Sequence, residues 1–427
     1  MTTTTTQSKR THCISCGAPL PDDIVFIGDQ YPSAIFLRDN DPIASEISAS
    51  SLNVTRCAEE GCCLVQLSHS YDLQYVFDHY PYESGSTATM RQILGDLVND
   101  ALPITSLGPD DVVLDIGGND GTLLSLIDQP VRARVNIDAA AGVDQLVSGG
   151  NYHHIHSRFS ASVYRSLNLP APKLITSVAM FYHLYDPLTF CKQVRDVMSD
   201  DSVWIIQMTY LGTMLRDDIF DNIVHEHSAY YSLKSLEALL ERVGLKVCEA
   251  RIVKSYGGSL RVFVMKEGGK FPEKYFRKDY REVEVFEREH RTNTFEELYA
   301  FNSRAQLLRS SINAVLAHLN EQNGPVWGFG ASTKGNMLLQ FLGVTSKEMP
   351  KILDNSSKKI GTRTTGSLIP IVDEASNLSN LPSYLMVLPY YYKDAFVKII
   401  RKHLLAGSSV NLFIPLPYPH FITVNAA

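Results

Sequence analysis

The chain of 427 residues lacks several features that mark common classes of protein. It has no run approaching the roughly 18 consecutive apolar residues that a membrane-spanning helix requires, so we expect no membrane partner. Its formal net charge is −7 and it has no long basic run, which disfavours nucleic acid as the main partner. The spacing G-x-G-x-x-G is absent from both halves of the chain, which counts against a dinucleotide cofactor.

An apolar signal core is also missing from the N-terminus, MTTTTTQSKR. We therefore predict that residues 1–10 are a disordered tail on a cytoplasmic protein, and a monomer is the expected state. With 44% hydrophobic residues the rest of the chain can bury real cores, and its length predicts roughly two to four domains.

Cysteine is scarce, with seven residues, an odd number. The cytosol disfavours disulfides, so clustered cysteines suggest a metal site before any other role. Cys13 and Cys16 form a C-x-x-C-G knuckle, and about forty residues later Cys57 is followed by the adjacent Cys62 and Cys63. Two such pairs on two turns can supply the four thiolates of a tetrahedral structural zinc ion. Spacing alone leaves Cys62 and Cys63 open as the fourth ligand, and buried or free thiols are the alternative to zinc.

The most informative stretch is VVLDIGGNDGTLL, residues 112–124. A run of β-forming residues ends at Gly117 and Gly118, and Gly121 then opens a predicted helix. Glycine lets a ligand approach the backbone, and the helix N-terminus offers unpaired N–H groups, so the turn suits a nucleoside. Asp138 follows about twenty residues later, where its carboxylate can accept both ribose hydroxyl protons. A structural strand-end turn is the alternative role of Asp138.

Predicted strands and helices alternate over residues 110–266. The strands are predicted at residues 112–116, 133–137, 173–178, 202–208 and 259–265. This alternation is typical of a doubly wound, mainly parallel α/β sheet whose binding site lies at the carboxyl ends of the strands. Polar motifs follow two of these strands, since residues 179–186 contain His183, and Tyr210 follows the next strand.

The densest group of polar residues is DNIVHEHSAYYS, residues 221–232. Its H-E-H spacing differs from the H-E-x-x-H of zinc proteases, because residues i and i+2 share a strand face but not a helix face. A helix is predicted over residues 233–243, so the polar group lies in the loop before it. His225 and His227 on either side of Glu226 favour acid/base chemistry, whereas a satisfied structural histidine is the usual alternative.

Residues 270–322 are charged and are predicted to form a long helical connector. Beyond them the alternation restarts, with PVWGFGASTKGN from residue 325 and apolar runs at residues 351–353, 384–388 and 409–414. This pattern predicts a second, smaller α/β unit with its own glycine turn. Gly330 and Lys334 in that turn can hold a diphosphate through backbone N–H groups and a point charge, although a tight strand-to-helix crossover requires glycine equally well.

Taken in order, these motifs resemble the nucleotide-sugar C-methyltransferases of deoxysugar biosynthesis. The matching segments run from CISCG, CLVQL and YPYESGS, through LDIGGNDGTLL, DNIVHEHSAYYSL and YGGSLRVF, to GFGASTKGN and LDNSSKKIG. The resemblance implies an S-adenosylmethionine-dependent enzyme with a central Rossmann-like class I methyltransferase domain, flanked by a zinc module and a C-terminal Rossmann-like α/β domain. The expected boundaries are 11–75 for the zinc module, 76–268 for the methyltransferase domain, 269–322 for the connector and 323–427 for the C-terminal, substrate-binding domain.

The same resemblance guides the expected roles of individual residues. The zinc ligands are Cys13, Cys16, Cys57 and Cys62, because the last family cysteine stands two places before LVQL and Cys63 occupies a position usually held by glycine. The expected S-adenosylmethionine contacts are Asp115, Gly117, Asn119, Asp120, Gly121, Asp138 and Val178. The expected catalytic groups are His227, Glu226, His225, His183, Tyr80 and Tyr82. The expected substrate contacts are Tyr210, Gly330, Ser332, Lys334 and Asn336.

The reaction that the resemblance implies adds a methyl group to the carbon next to the ketone of a nucleotide-linked 4-keto-6-deoxysugar. His227 takes the proton from that carbon, and Glu226 orients or tunes His227. His225, His183 or a tyrosine hydroxyl stabilises the enolate oxygen. The sequence departs from the family at Val224, where tyrosine commonly precedes H-E-H. A phenol can stabilise an enolate and valine cannot, so the substrate and the methylated atom are open at this point.

Three alternative functions are open from the sequence. The same scaffold can methylate oxygen or nitrogen, if the base acts on a hydroxyl or an amine. A working dinucleotide site at residues 328–336 with Asp354 would make the chain an NAD-dependent oxidoreductase, which the absence of G-x-G-x-x-G disfavours. A zinc ribbon followed by a methyltransferase is also a pattern of nucleic-acid modifiers, which the net charge of −7 disfavours.

Overall fold

The computed structural model describes residues 8–71, 83–140, 149–255 and 257–426. The predicted catalytic residues Tyr80 and Tyr82 lie outside the described residues. Within the described part of the chain, no helix is long and apolar enough to cross a membrane.

The N-terminal region forms small antiparallel sheets. Its strands are β1 (Ser8–Lys9), β2 (Val25–Gln30), β3 (Phe36–Leu37), β4 (Ser50–Arg56), β5 (Val65–Leu67) and β6 (His69–Ser70). β4 pairs with β2 on one side and with β5 on the other. β1 pairs with β6, so the end of the segment predicted as a disordered tail has a regular partner.

The central region begins with the long helix α1 (Ala88–Thr105). Its strands are β7 (Val112–Ile116), β8 (Ala133–Asp138), β9 (Tyr152–His156), β10 (Leu174–Val178), β11 (Val203–Thr209), β12 (Ala229–Tyr230), β13 (Leu245–Val253) and β14 (Ser259–Lys266). Its other helices are α2 (Thr122–Ser125), α3 (Ala161–Arg165), α4 (Pro187–Val197), α5 (Leu211–Arg216) and α6 (Leu233–Glu241).

Seven of these strands form one sheet in the order β9-β8-β7-β10-β11-β14-β13. The first five are parallel, and β14 runs antiparallel between β11 and β13. Side chains alternate between two cores: Val112 and Leu114 pack with α4 and α6, whereas Val113 packs with α1. Strands covered on both faces are rich in apolar residues, and all five predicted strands are confirmed.

Two strands were not predicted from the sequence, namely β9 and β13 at the two edges of this sheet. Edge strands are partly exposed, so polar side chains interrupt the apolar run that marks a central strand. The sequence of β9 is YHHIH and that of β13 is LKVCEARIV, and both contain several polar residues.

The C-terminal region follows two connecting helices, α7 (Tyr280–Glu289) and α8 (Phe295–Asn323). Its strands are β15 (Trp327–Phe329), β16 (Ile352–Asp354), β17 (Arg363–Thr364), β18 (Ile371–Asp373), β19 (Tyr384–Val387), β20 (Ser409–Ile414) and β21 (His420–Asn425). Its helices are α9 (Thr333–Leu342) and α10 (Lys393–His403). A second sheet has the order β18-β16-β15-β19-β20-β21 and is parallel except for β21, which confirms a second α/β unit.

Short 3₁₀ helices occur between these elements. They are Pro42–Ser45, Ser84–Ser86, Phe181–His183, Phe220–Asn222, Glu273–Tyr275 and Tyr390–Tyr392. Three of them, those beginning at Phe181, Phe220 and Tyr390, bring polar side chains to the site described below.

The loop that carries H-E-H is enclosed by all three regions. β12, at the end of this loop, extends the N-terminal sheet by pairing with β5. β17 of the C-terminal region pairs with β3 of the N-terminal region. One apolar core contains Ile24, Phe220 and Phe341, which come from the N-terminal region, the loop and α9. The position of the loop therefore depends on contacts with both flanking regions.

Candidate active site

The turn after β7 is fixed by hydrogen bonds to the end of β8. The backbone N–H of Asn119, at φ +52°, donates to Asp138 Oδ2 at 2.8 Å, and the Ala140 N–H donates to Asp138 Oδ1 at 2.7 Å. A carboxylate has about four lone-pair positions, so these bonds leave acceptor capacity on Asp138. Gly121, at φ +78°, and Val178, the last residue of β10, lie at the same edge. The strand order reverses between β7 and β10, which is where a doubly wound sheet binds its ligand.

Gly117 and Gly118 are held close to side chains from neighbouring strands and loops. A Cβ at Gly117, whose φ is +73°, would lie 2.9 Å from Met180 Cγ, and a Cβ at Gly118 would lie 2.5 Å from Asp115 Oδ2. Asp115 is buried in the sheet, where Thr176 Oγ1 donates to its Oδ1 at 2.6 Å and burial raises its pKa to about 7. Asp115 therefore supports the turn from within the sheet.

A segment that the sequence analysis did not assign to the cofactor site lies against this turn. The Ser84 N–H donates to Asn119 Oδ1 at 2.9 Å, and the Gly85 N–H donates to Asp120 Oδ2 at 2.7 Å. Asp120 Oδ1 also accepts from the Thr122 N–H at 3.0 Å. The only signal in the sequence is that ESGS belongs to the motif YPYESGS, because backbone donors carry no side-chain signature.

His227 is buried, and one of its two ring nitrogens donates a hydrogen bond to the backbone. Its Nδ1 donates to the carbonyl oxygen of Asn222 at 2.8 Å, which directs Nε2 to the other side of the ring. Burial lowers the pKa of His227 well below 6.5, and the neighbouring His183 and Lys334 lower it further. The Tyr182 ring packs against the imidazole at 4.3 Å between ring centres. His227 is therefore a neutral imidazole at neutral pH.

His183 and Glu226 lie beside His227. The His183 ring centre is 5.2 Å from that of His227, and its Nδ1 donates to the carbonyl oxygen of Glu226 at 2.7 Å. Burial lowers the pKa of His183 to about 4. The Glu226 carboxyl group is also buried, which raises its pKa to about 7, and its Oε2 has no hydrogen-bond partner among the described residues. Two neutral imidazoles therefore share one buried site, and the backbone carbonyl of Glu226 holds one of them.

His225 faces a different environment. Its Nε2 lies 3.0 Å from Ser50 Oγ and its ring packs edge-on against Tyr71, 4.7 Å between ring centres. Burial lowers its pKa to about 4. The H-E-H residues form a turn, in which the His227 N–H bonds to the carbonyl oxygen of Val224 at 3.0 Å, so the shared face that a strand would give is absent. The structure brings His183 to His227 and leaves His225 against the N-terminal region.

Two of the predicted substrate contacts have partners in the packing of the protein. The Tyr210 hydroxyl donates to Glu287 Oε1 at 2.9 Å, and Tyr210 is almost fully buried. At Gly330, which has φ +83°, a Cβ would lie 2.7 Å from Pro389. Neither position is adjacent to a polar group of the H-E-H loop in the contacts that the structure describes.

Ser332 and Asn336 have internal partners as well. Ser332 is the N-cap of α9, since its Oγ accepts from the Gly335 N–H at 3.0 Å. Asn336 Nδ2 donates to the carbonyl oxygen of Ser33 at 3.0 Å and so joins α9 to the N-terminal region. Lys334 differs from these residues, because its Nζ is buried and has no hydrogen-bond partner among the described residues.

The cysteines selected from the resemblance form one cluster. The ligand atoms of Cys13, Cys16, Cys57 and Cys62 all lie within 4.8 Å of one another, so they could hold a metal ion. Cys63 is turned away, and its sulfur accepts a hydrogen bond from Arg56 Nη2 at 3.0 Å. Cys63 has φ +53°, a conformation that glycine adopts more readily, which explains why glycine suits this position.

Comparison with known proteins agrees with this architecture. The family profile for a methyltransferase domain matches residues 87–250, and the profile for a C-methyltransferase C-terminal domain matches residues 254–417. The C-methyltransferase NovU of Streptomyces niveus is 26% identical over 416 residues, which are 97% of each chain. The chain is a C-methyltransferase. This C-methyltransferase depends on S-adenosylmethionine, and its central seven-stranded sheet is the methyltransferase fold.

Two solved structures are similar to part of this chain. A chain in the complex of the Haloferax volcanii Trm112 methyltransferase activator with a putative methyltransferase is 13% identical, with a TM-score of 0.33, and the match covers 42% of this chain and 95% of that one. A putative S-adenosylmethionine-dependent methyltransferase from Listeria monocytogenes is 8% identical, with a TM-score of 0.32, and the match covers 40% and 97% respectively.

Proposed function

We propose that this C-methyltransferase adds a methyl group to the carbon next to the ketone of a nucleotide-linked 4-keto-6-deoxysugar, by way of an enolate. The ordered motifs from CISCG to LDNSSKKIG support this substrate class. Such a sugar has an acidic C–H bond that a neutral imidazole can deprotonate. The observation that carries the proposal is the hydrogen bond from His227 Nδ1 to the carbonyl oxygen of Asn222.

That hydrogen bond assigns the two ring nitrogens of His227 different roles. Nδ1 carries the proton, so Nε2 keeps the lone pair that a base requires. The pKa of His227 lies well below 6.5 because of burial, His183 and Lys334, so Nε2 is unprotonated at neutral pH. His227 then acts as the base, Glu226 tunes it, and His183 is close enough to contact the same substrate.

We propose that the turn after β7 holds S-adenosylmethionine, which supplies the methyl group when bound. The ribose hydroxyls would donate to the lone pairs that remain on Asp138, and Asn119 and Asp120 would line the same crevice. The residues present fit this cofactor, because the carboxylate is fixed in position by backbone donors before a ligand arrives.

We also propose that Cys13, Cys16, Cys57 and Cys62 bind a structural zinc ion. A Zn–S bond of about 2.3 Å in a tetrahedron places the sulfurs roughly 3.8 Å apart. The Cys13–Cys62 and Cys16–Cys57 sulfur distances are 3.8 and 3.5 Å. We expect roughly one zinc ion per chain in elemental analysis, and a lower Tm after chelation because the ion links two turns of a small sheet. Protein without zinc, or with an unchanged Tm after zinc removal, would contradict this assignment.

The base is tested by hydrogen–deuterium exchange at the substrate carbon in D₂O, without a methyl donor. The wild-type enzyme should exchange the proton next to the ketone of a nucleotide-linked 4-keto-6-deoxysugar, and His227→Ala should lose this exchange by a factor on the order of 100 to 10,000. Because the base acts deprotonated, exchange should persist at pH 6.5 and fall only in more acidic solution. With methyl-labelled S-adenosylmethionine, NMR should place the label on the same carbon.

The matched control is His225→Gln, which removes the histidine that faces the N-terminal region. This variant should keep exchange and methyl transfer, provided that circular dichroism shows it folded. Near wild-type exchange by His227→Ala would remove His227 from the role of base. A label found on oxygen or nitrogen would show that the same fold catalyses another methyl transfer.

A further inference from the structure

Lys334, in the first turn of α9, has a buried ammonium group. Part of its stem is exposed, but its Nζ is buried and has no hydrogen-bond partner among the described residues. Taking an ammonium group out of water without a paired anion is costly in free energy. A desolvated charge of this kind is typical of functional sites, where a ligand completes its contacts.

Tyr391 fixes the position of this ammonium group. Lys334 Nζ stands 4.8 Å from the centre of the Tyr391 ring. The ring in turn lies on the backbone of Gly257, where a Cβ would be 2.2 Å from it and where φ is +86°. Gly257 belongs to the motif YGGSLRVF between β13 and β14 of the central sheet. A residue of the C-terminal region is therefore clamped onto the methyltransferase domain.

The neighbouring Tyr390 reaches the loop that carries the base. Its hydroxyl donates to Asp221 Oδ1 at 2.9 Å, and Asp221 is followed by Asn222, whose carbonyl oxygen accepts the hydrogen bond from His227. Asp221 Oδ2 has no hydrogen-bond partner among the described residues. Tyr390 and Asp221 are thus positioning residues for the carbonyl group that orients His227.

The charges of this cluster act on one another. Burial lowers the pKa of Lys334, and the carboxylate of Asp221 opposes that effect. His227 is affected by the Lys334 charge as well as by burial and by His183. Geometry links the same groups, because the Tyr391 ring that faces the Lys334 ammonium carries a hydroxyl 3.4 Å from Asp221 Oδ1, next to the residue that orients His227.

A diphosphate role for Lys334 is less consistent with the turn around it. The Ala331 N–H already donates to Asp354 Oδ2 at 2.7 Å, and the Gly335 N–H donates to Ser332 Oγ at 3.0 Å. Two of the backbone donors that would hold a phosphate are therefore used within the protein. The lysine side chain also leads away from the turn, toward Tyr391.

We propose that Lys334 is a catalytic residue whose ammonium group holds the substrate oxygen that becomes the enolate oxygen. This inference rests on the proposed enolate chemistry, and it gives the C-terminal region a direct part in that chemistry. A fixed cation at the point where negative charge develops stabilises the transition state more than the ground state.

The step balances with the groups already named. His227 Nε2 takes the proton from the carbon next to the ketone, the C–H electron pair forms the C=C bond, and the carbonyl π pair moves to the oxygen held by Lys334. The enolate carbon then forms a bond to the methyl group while the S–C bond breaks, and that bond's electron pair stays on sulfur. The carbonyl group re-forms, S-adenosylhomocysteine remains, and His227 releases its proton to water.

The test compares Lys334→Met with Lys347→Met, which removes an exposed lysine of the same region. The assay is deuterium exchange next to the ketone of a nucleotide-linked 4-keto-6-deoxysugar, without a methyl donor, followed by methyl transfer with the donor present. We expect Lys334→Met to lower both rates by a factor on the order of 100 to 1,000 and to leave KM within about threefold. Its Tm should equal or exceed that of the wild type, because a buried charge is removed. Lys347→Met should match the wild type.

Two results would overturn the inference. One is unchanged exchange and methyl transfer in Lys334→Met. The other is a variant with unchanged kcat, a raised KM and weaker binding of the nucleoside diphosphate alone in calorimetry. That result would show that Lys334 contacts the diphosphate. If Lys334→Met were unfolded, Lys334→Gln would be measured in its place. Failure of the proposed function is distinguishable, because the wild-type enzyme itself would then neither exchange nor methylate the keto sugar.

Discussion

Two turns of this enzyme share one hydrogen-bond pattern. After β7, Asp138 accepts hydrogen bonds through both carboxylate oxygens. One comes from the Asn119 N–H and the other from the Ala140 N–H, two residues after Asp138. After β15, Asp354 accepts from the Ala331 N–H at 2.7 Å and from the Ser356 N–H, two residues after Asp354, at 2.8 Å. Asp138 is the last residue of β8 and fixes the turn after β7. In the same way, Asp354 is the last residue of β16 and fixes the turn after β15.

The surroundings of the two turns differ. A Cβ at Gly118 in the first turn would meet the carboxylate of Asp115 at 2.5 Å, which is a polar neighbour. A Cβ at Gly330 in the second turn would meet Pro389 at 2.7 Å and Phe396 at 2.9 Å, which are apolar neighbours. The second turn is thus closely packed against apolar side chains, and Lys334, which follows it, lies against Tyr391. Glycines followed by an acid therefore do not by themselves identify a cofactor site.

The largest expected difference between the turns is in cofactor binding. Asp138→Asn and Asp354→Asn each disturb two backbone hydrogen bonds of the corresponding turn. Their effects on Tm should therefore be similar. Asp138→Asn should also weaken S-adenosylmethionine binding by a factor of about 10 to 100, because charged hydrogen bonds to the ribose are worth about 1.5 to 3 kcal/mol. Asp354→Asn should leave that affinity unchanged. Isothermal titration calorimetry of both folded variants checks this pair.

Either of two outcomes would break the distinction between the turns. Equal cofactor affinity in Asp138→Asn and the wild type would remove Asp138 from the cofactor site. Detectable binding of NAD to the wild-type enzyme, lost in Asp354→Asn, would make the second turn a dinucleotide site and favour oxidoreductase chemistry. The absence of G-x-G-x-x-G argues that neither result will be observed.

Much of the fold follows from local sequence pattern. The buried strands β7, β8, β10, β11 and β14 contain closely spaced apolar residues, so periodicity and glycine punctuation were sufficient to place them. β9 and β13 lie at the edges of the sheet, where exposure allows polar residues, and the pattern was lost. Gly117 and Asp138 could be selected from the sequence because a glycine turn and a strand end are local features, which spacing reveals.

The arrangement of the active site depends on contacts between distant parts of the chain. His225 and His227 have the same local signature, and they separate because Ser50 and Tyr71 of the N-terminal region pack against His225. The position of Lys334 against Tyr391 depends on the packing of Tyr391 on Gly257 of the central region. No spacing rule contains that information, so the sequence left the role of this lysine open between a diphosphate contact and a structural crossover.

A smaller effect separates packing from conformation in the second turn. Gly330 and Gly343 both have positive φ, +83° and +73°, but a Cβ at Gly343 meets nothing within 4 Å. Alanine in the left-handed conformation should therefore lower the unfolding free energy by about 1 to 2 kcal/mol at either position. Gly330→Ala should cost roughly 1 to 3 kcal/mol more, because Pro389 and Phe396 must move. Urea unfolding measures both values. If Gly330→Ala instead matched Gly343→Ala in stability but bound the nucleotide sugar more weakly, the turn would be a substrate contact and the comparison with the first turn would fail.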